Sequence, residues 1–136
     1  MAELRIGASV GNLDQVLAFV DGELEKMDCS MKTQMIIDIA VEEIFVNIAS
    51  YAYVPGEGDA VIRVETEPEA GEAVLTFIDR GVPYDPVAKP DPDVTLSAEE
   101  RQIGGLGIFM VKKSMDEMSY AYEDGQNILT LRKKLR

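Results

Sequence analysis

Histidine and tryptophan are absent from this sequence, and Cys29 is its only cysteine. One cysteine cannot form a disulfide within the chain, and the common zinc clusters lack their histidine and cysteine ligands. The lack of histidine also excludes catalytic dyads and triads that use a histidine base. An enzyme built on this sequence must therefore move protons with carboxylates, lysine, tyrosine or serine.

Positive charge is scarce: 13 lysines and arginines stand against 25 aspartates and glutamates, which gives a net charge of −12. Such a chain repels nucleic-acid phosphates, and its basic cluster at residues 132–136 is more typical of a solubilising chain end than of a nucleic-acid contact. No run of about 18 apolar residues offers a membrane span, and the first residues lack the pattern of a signal peptide. We therefore expect a cytoplasmic protein that contacts neither nucleic acid nor membrane.

A length of 136 residues suits one domain, with a core between two packed layers. Apolar residues recur at helical spacing in some segments and alternate in others, in the order strand, helix, helix, hairpin, loop, helix, hairpin. This order predicts an α+β two-layer sandwich, with helices on one face of a mostly antiparallel mixed sheet. The predicted strands are residues 3–9, 61–66, 73–78, 118–123 and 127–132; the predicted helices begin near residue 13, span residues 30–51 and follow the glycines of residues 104–107.

Two polar residues interrupt an apolar stripe of the second predicted helix. Glu43 and Asn47 are four residues apart and therefore lie on one side of it, whereas Asp38 and Glu42 lie on another flank that we expect to be solvated. A carboxylate among apolar neighbours suits a general base, and the nearby amide oxygen suits a hard cation. A boundary glutamate paired with an asparagine for structural reasons explains the same pattern.

Asp79 follows the third predicted strand and, by alternation, points to the same side as Leu75 and Phe77. It should therefore be at least partly buried, and a buried carboxylate needs hydrogen-bond donors. These donors are either the backbone of the following turn, residues 80–83, or an N–H group of a ligand. The sequence leaves both possibilities open.

The segment Gly104-Gly105-Leu106-Gly107 precedes the third predicted helix. Backbone N–H groups at the start of a helix bind phosphate, and glycines let a ligand approach them closely; a flexible hinge is the alternative. The segment matches neither the Walker pattern nor the strand-linked GxGxxG pattern. The preceding residues 84–103 lack periodicity and form a predicted lid-like loop.

The order and company of these motifs resemble the ATP-binding domains of the GHKL superfamily, which share the Bergerat fold. Residues 43–47 (EIFVN) are similar to its N box, residues 79–86 (DRGVPYDP) to its first glycine box, and residues 105–108 (GLGI) to its second. Three motifs in this order, with a lid-like insert before the last, cover most of the chain and are more specific than any one of them. The short length and the GVPYDP wording resemble the anti-sigma factor serine kinases in particular.

This resemblance implies a site for ATP and Mg²⁺. Asp79 would accept a hydrogen bond from the adenine amino group, and Asn47 would be the protein ligand of Mg²⁺. Glu43 would accept the proton of the substrate serine as the catalytic base, and Arg101 in the lid would stabilise charge on the γ-phosphate. The other nucleotide contacts that the motifs imply are Gly81, Pro83, Gly104, Gly105, Leu106 and Gly107.

Members of this family phosphorylate a serine on a small anti-sigma antagonist of the STAS fold and regulate transcription by partner switching, so the resemblance implies such a substrate. A sigma factor or a phosphatase regulator is a further implied partner, and a homodimer is the implied assembly. Tyr51 stands where these kinases often carry a histidine. This departure leaves two alternatives: a nucleotide-gated module that sequesters a sigma factor or another regulator without kinase activity, and an interaction domain with a degenerate pocket.

Overall fold

The computed structural model describes residues 1–54, 56–67, 69–87 and 105–135. Within these residues, five strands form one sheet: β1 (Ala2–Gly7), β2 (Asp59–Glu67), β3 (Glu72–Asp79), β4 (Glu117–Glu123) and β5 (Gln126–Lys134). Their spatial order is β1-β2-β3-β5-β4, and each pairing is antiparallel. The predicted α+β sandwich is confirmed, and the described pairings contain no parallel pair.

The described helices are α1 (Leu13–Lys26), α2 (Met31–Asn47) and α3 (Gly105–Ser114). A 3₁₀ turn, Val10–Asn12, leads into α1, and the Ser30 hydroxyl caps α2 by accepting a hydrogen bond of 3.2 Å from the Thr33 N–H. The second helix ends differently from the prediction, because the chain widens beyond Asn47 into a π-helical turn, Ile48–Ala52. No helix in the described residues is long and apolar enough to cross a membrane.

The core lies between the helices and one face of the sheet. Alternation along the strands directs every second side chain into this layer, as predicted. The largest strand side chains buried in this layer are Ile62 and Val64 of β2, Leu75 and Phe77 of β3, and Leu129 and Leu131 of β5. They pack against Val16, Val20 and Leu24 of α1, Ile37, Val41 and Phe45 of α2, and Ile108 and Val111 of α3.

The hairpin between β4 and β5 turns at Asp124 and Gly125, as their sequence predicts. Both residues have positive φ, 53° and 76°, which is the backbone of the tight turns that match strand twist. The turn fixes the register of β5 against β4. On its other edge β5 pairs with β3, and this long-range pairing places Asn127 directly opposite Asp79.

The prediction that Asp38 is solvated is wrong. Its carboxyl group meets that of Asp21 of α1. One carboxylate oxygen of each residue is buried and, while both groups are ionised, finds no hydrogen-bond donor among the described residues. Burial, a hydrogen bond with Asp21 and the charge of Asp21 raise the pKa of Asp38 to about 7. Burial and the nearby Asp38 also raise the pKa of the Cys29 thiol. The two carboxyl groups are compatible at close range because they can share a proton.

We expect Asp38→Asn to stabilise the protein above pH 7. The pKa of Asp38 is higher in the folded than in the unfolded chain, so the folded state holds the extra proton between about pH 4 and 7, and the free energy of unfolding falls as the pH rises through that window. An amide does not ionise, so at pH 8 the variant should gain about 1–2 kcal/mol, after allowance for solvent screening. Urea unfolding at pH 4 and pH 8 measures the difference. A difference that is the same at both pH values would contradict the shared proton.

Candidate functional site

A cavity of about 320 Å³ opens beside the C-terminal part of α2. Its walls are mostly apolar and include Ile44 of α2, Phe77 of β3, Ile108 of α3 and Leu129 of β5, together with residues of the π-helical turn, of β4 and of the segment after β3. Three polar side chains also line it: Asn47, Asp79 and Asn127. A small apolar space with a few fixed polar groups is typical of a small-molecule site.

Asp79 is 7% exposed at the end of β3, as the alternation pattern predicts. Its Oδ1 accepts hydrogen bonds of 2.9 Å from the Gly81 N–H and from the Asn127 side-chain amide. Asp79 therefore caps the turn that follows it, which was one of the two possibilities left open by the sequence. Its Oδ2 accepts no hydrogen bond from the described residues, so the other possibility, an N–H group of a ligand, remains available at that atom.

Asn127 is a site residue that sequence reasoning missed. It is 6% exposed, and its amide nitrogen also donates to the Val82 carbonyl at 2.9 Å. Its side-chain oxygen accepts hydrogen bonds from the Tyr84 N–H at 3.1 Å and from the Tyr120 hydroxyl. A signal for it exists in the sequence, because alternation places this polar residue on the same inward side of β5 as Leu129.

Gly81 lies against the π-helical turn at the end of α2. A Cβ atom at this position would come within 2.2 Å of the Ala52 carbonyl oxygen and 2.6 Å of the Ala52 Cβ. The adjacent Val82 N–H donates to the same carbonyl at 2.9 Å. Only glycine lets the segment after β3 approach the helix end this closely, which gives a steric reason for the glycine of the DRG motif.

Tyr53 joins three segments beside this turn. Its hydroxyl donates to the Asp59 carbonyl at 2.6 Å and accepts from the Arg80 N–H at 2.7 Å. Its ring covers Gly58, where a Cβ would come within 2.2 Å of a ring carbon. Burial raises the pKa of Tyr53, so its hydroxyl keeps its proton at neutral pH. Neither periodicity nor a motif marks this residue in the sequence, because its partners belong to other elements.

Glu43, Asn47 and Gly107 lie together where α2 meets the start of α3. The Asn47 amide nitrogen donates to the Glu43 carbonyl at 3.0 Å and to the Glu43 Oε1 at 3.2 Å. A Cβ on Gly107 would come within 1.9 Å of the Glu43 Oε1, so the carboxylate occupies the space that a side chain would need. Because the amide nitrogen faces Glu43, the Asn47 oxygen is the atom left to bind a cation or a ligand.

The structure describes some of the other predicted site residues and leaves others outside the described ranges. Pro83 is exposed and lines the cavity, as does Tyr51, whose exposure is 56%. Gly105 and Leu106 begin α3. Arg101, Gly104 and residues 88–103 of the predicted lid lie outside the described residues, so the predictions for them stay predictions.

Comparison with known families decides the class of this domain. The family model of the histidine kinase-like ATPase domain matches residues 6–133. The chain belongs to this family. In this chain, Glu43 and Asn47 lie on α2, β3 ends at Asp79, and α3 begins at Gly105.

Curated relatives of this ATPase domain carry kinase names. The chain is 31% identical over 102 residues to the serine/threonine-protein kinase BtrW of Bordetella bronchiseptica. This alignment covers 75% of the chain and 71% of that protein. It is 30% identical over 97 residues to the serine-protein kinase RsbW of Listeria monocytogenes. This second alignment covers 68% of the chain and 61% of the relative.

A solved structure shows the same fold as this ATPase domain. The crystal structure of the RsbU and RsbW domains of a Mycobacterium tuberculosis protein aligns with a TM-score of 0.64 over 99% of this chain, at 16% sequence identity. This chain covers 33% of that longer one. The similarity supports the two-layer arrangement described above.

The cavity fits the nucleotide that an ATPase domain binds. Its apolar walls suit the faces of a purine, and Asp79 Oδ2 can accept a hydrogen bond from an exocyclic amine. Ile108 of α3 lies in the cavity wall, and the backbone N–H groups at the start of this helix suit phosphate oxygens. Asn47 lines the same cavity, and its oxygen is of the type that Mg²⁺ accepts alongside water and phosphate.

We expect Tyr53→Phe to weaken ATP binding about three- to tenfold. The ring remains on Gly58, but the Arg80 N–H loses its partner and the turn after Asp79 is held less firmly, at a cost of about 1 kcal/mol. Calorimetric titration with ATP measures the effect. Tyr122→Phe is the matched control, because Tyr122 is 47% exposed on β4. Equal affinities for Tyr53→Phe and the wild type would contradict this positioning role.

Proposed function

We propose that the chain is an anti-sigma factor-type serine kinase, which binds Mg-ATP and phosphorylates a serine on a STAS-type antagonist. The observation that carries the proposal is the placement of Glu43 against Gly107. This contact brings a carboxylate to the start of α3, where phosphate would bind, and the same carboxylate accepts a hydrogen bond from Asn47, which lines the cavity together with Asp79. The similarity to two kinases at about 30% identity supports the same function.

The nucleotide would lie with its base toward β3 and β5. Asp79 Oδ2 accepts from the adenine amino group, and Gly81 allows the backbone to follow the base closely. Asn127 holds both Asp79 and the Val82 carbonyl at 2.9 Å, so these groups are fixed before the nucleotide arrives. Such preorganisation lowers the entropic cost of binding.

The phosphates would extend toward α3, where Gly105 and Gly107 would leave the backbone N–H groups accessible; the same role for Gly104 is a prediction from the sequence. Asn47 holds Mg²⁺, which neutralises phosphate charge when bound. The serine oxygen forms a bond to the γ-phosphorus as the bond from that phosphorus to the bridging oxygen breaks, ADP leaves, and Glu43 takes the hydroxyl proton. Arg101, in the predicted lid, stabilises the charge on the transferred group.

A second candidate function keeps the nucleotide site but not the transfer. Tyr51 lines the cavity at the position where the anti-sigma kinases often carry a histidine, and this observation favours a nucleotide-gated module that sequesters a sigma factor or another regulator. Both candidates bind Mg-ATP. Only the kinase consumes it in the presence of a STAS-type protein.

Incubation of the protein with Mg-ATP and STAS-type proteins from the same genome tests the choice. The kinase predicts that one of them gains a single phosphate on serine, detected by intact mass and peptide sequencing. A protein that binds Mg-ATP and phosphorylates none of them would favour the sequestering module. A protein that binds no Mg-ATP would contradict both candidates.

A further inference from the structure

The solvent side of α2 carries a row of exposed apolar residues. Met31 is 79% exposed, Met35 is 61% exposed and Ile39 is 64% exposed. They are spaced four residues apart and form one ridge along the helix, which we call the α2 ridge. Continued at the same spacing, the row reaches Glu43 and then Asn47. The exposed apolar surface therefore leads directly to the proposed catalytic base.

The packing of α2 within the domain does not require this ridge. The helix already buries its opposite side, with Ile37, Val41 and Phe45 fully excluded from solvent. The solvent side of a surface helix is normally polar, and three large apolar side chains in one row are more than scattered exposure explains. Methionine adapts its shape to a partner, which suits a docking surface.

We propose that the α2 ridge is the docking surface for the protein that receives the phosphate. This inference rests on the proposed kinase function and adds the surface by which the substrate is recognised. The occupant is the STAS-type antagonist, which covers the ridge with an apolar patch beside its phosphorylated serine.

The length of α2 shows that a protein bound at Glu43 also reaches the α2 ridge. Ile39 is one turn before Glu43, and Met31 is twelve residues before it, or about 18 Å along the helix axis. A standard protein interface covers about 800 Å² on each partner, which corresponds to a patch about 30 Å across. A protein that places a serine beside Glu43 from this side therefore covers Ile39 and Met35 in the same contact.

Charged residues beside the ridge give the partner an orientation. Glu42 is exposed near the Glu43 end, and Lys32 is exposed near the Met31 end, about 15 Å away along the axis. The complementary partner surface has an apolar centre, a basic side chain close to its serine, and an acidic side chain at the far end. This pattern distinguishes the two possible directions of docking.

The test uses Met35→Ser with Ile39→Ser in the full chain, and the STAS-type protein that the wild type phosphorylates. We expect the KM for that protein to rise about 10- to 100-fold, with kcat and the Kd for Mg-ATP close to wild type. Met35→Leu with Ile39→Leu keeps two large apolar side chains on the ridge and should leave the KM at its wild-type value. Val10→Ser is the matched control, because Val10 is 54% exposed outside the ridge and should leave the KM unchanged. Circular dichroism verifies that each variant is folded.

Other outcomes separate this proposal from the proposed function. A KM within twofold of wild type for the serine variant, with phosphorylation intact, would overturn the docking surface and leave the kinase in place. A change in oligomeric mass without a change in KM would assign the ridge to a second copy of the chain and also overturn it. If Mg-ATP binds but no phosphorylation occurs, the kinase fails, and equal binding of the STAS-type protein by wild type and serine variant overturns the docking surface separately. If the wild-type chain binds neither Mg-ATP nor any STAS-type protein, both the kinase function and the docking surface are overturned.

Discussion

Glu43→Gln should bind Mg-ATP within a few-fold of the wild-type affinity and phosphorylate the acceptor protein about 10²–10⁴-fold more slowly. Glutamine keeps the shape of the side chain and can still accept the hydrogen bond from Asn47, which measures 3.2 Å in the wild type. It cannot take the proton of the serine hydroxyl. Single-turnover transfer from saturating Mg-ATP measures the rate, and calorimetry measures the affinity.

Asn47→Ala is the informative contrast for that result. Loss of the proposed protein ligand to Mg²⁺ should weaken Mg-ATP binding as well as transfer, because Mg²⁺ held by Asn47 would neutralise phosphate charge in both the bound state and the transition state. Glu43→Gln should affect transfer alone. An unchanged transfer rate in Glu43→Gln would show that the base has been assigned to the wrong residue.

Asp79→Asn should weaken ATP binding by about one to two decades in Kd, the equivalent of roughly 1.5–3 kcal/mol. The asparagine oxygen can keep the two hydrogen bonds of 2.9 Å that Oδ1 now accepts from Gly81 and Asn127. Its amide nitrogen then replaces Oδ2 and presents a donor to the adenine amino group, which is also a donor. The variant therefore removes the contact to the base while it preserves the turn.

Two comparisons sharpen the Asp79 experiment. GTP should bind the wild type poorly, because guanine presents a carbonyl where adenine presents the amino group. Asp116→Asn is the matched control, since its carboxylate also accepts a backbone hydrogen bond, at 2.6 Å from the Lys134 N–H, but lies exposed just before β4. Equal ATP affinity for wild type and Asp79→Asn, measured calorimetrically, would contradict the base contact.

Local patterns predict most of the fold because they depend on neighbours in the sequence. Alternation locates the strands to within about two residues, and helical spacing locates α1 and α2. The Asp124-Gly125 signal predicts the last turn because positive φ is a property of those two residues alone. The end of α2 is different: the π-helical turn Ile48–Ala52 is shaped by its contact with Gly81, which no local pattern reports.

The candidate site was predictable where its residues belong to motifs and not where they act across elements. Glu43, Asn47, Asp79 and Gly107 stand in the expected places, although their chemical roles are still predictions. Asn127 and Tyr53 were missed because their partners, Asp79 and Arg80, lie at least 27 residues away. Asp38 was misjudged for the same reason, since only the packing of α1 on α2 shows that it meets Asp21.

The most direct test of the central claim follows the γ-phosphate of ATP in a single turnover. The wild-type protein is loaded with ATP labelled on the γ-phosphate in the presence of Mg²⁺ and mixed with its STAS-type acceptor. The account predicts that the label appears on one serine of the acceptor at the same rate at which ATP disappears. ATP that is bound but remains intact, or that is hydrolysed without labelling the acceptor, would contradict it.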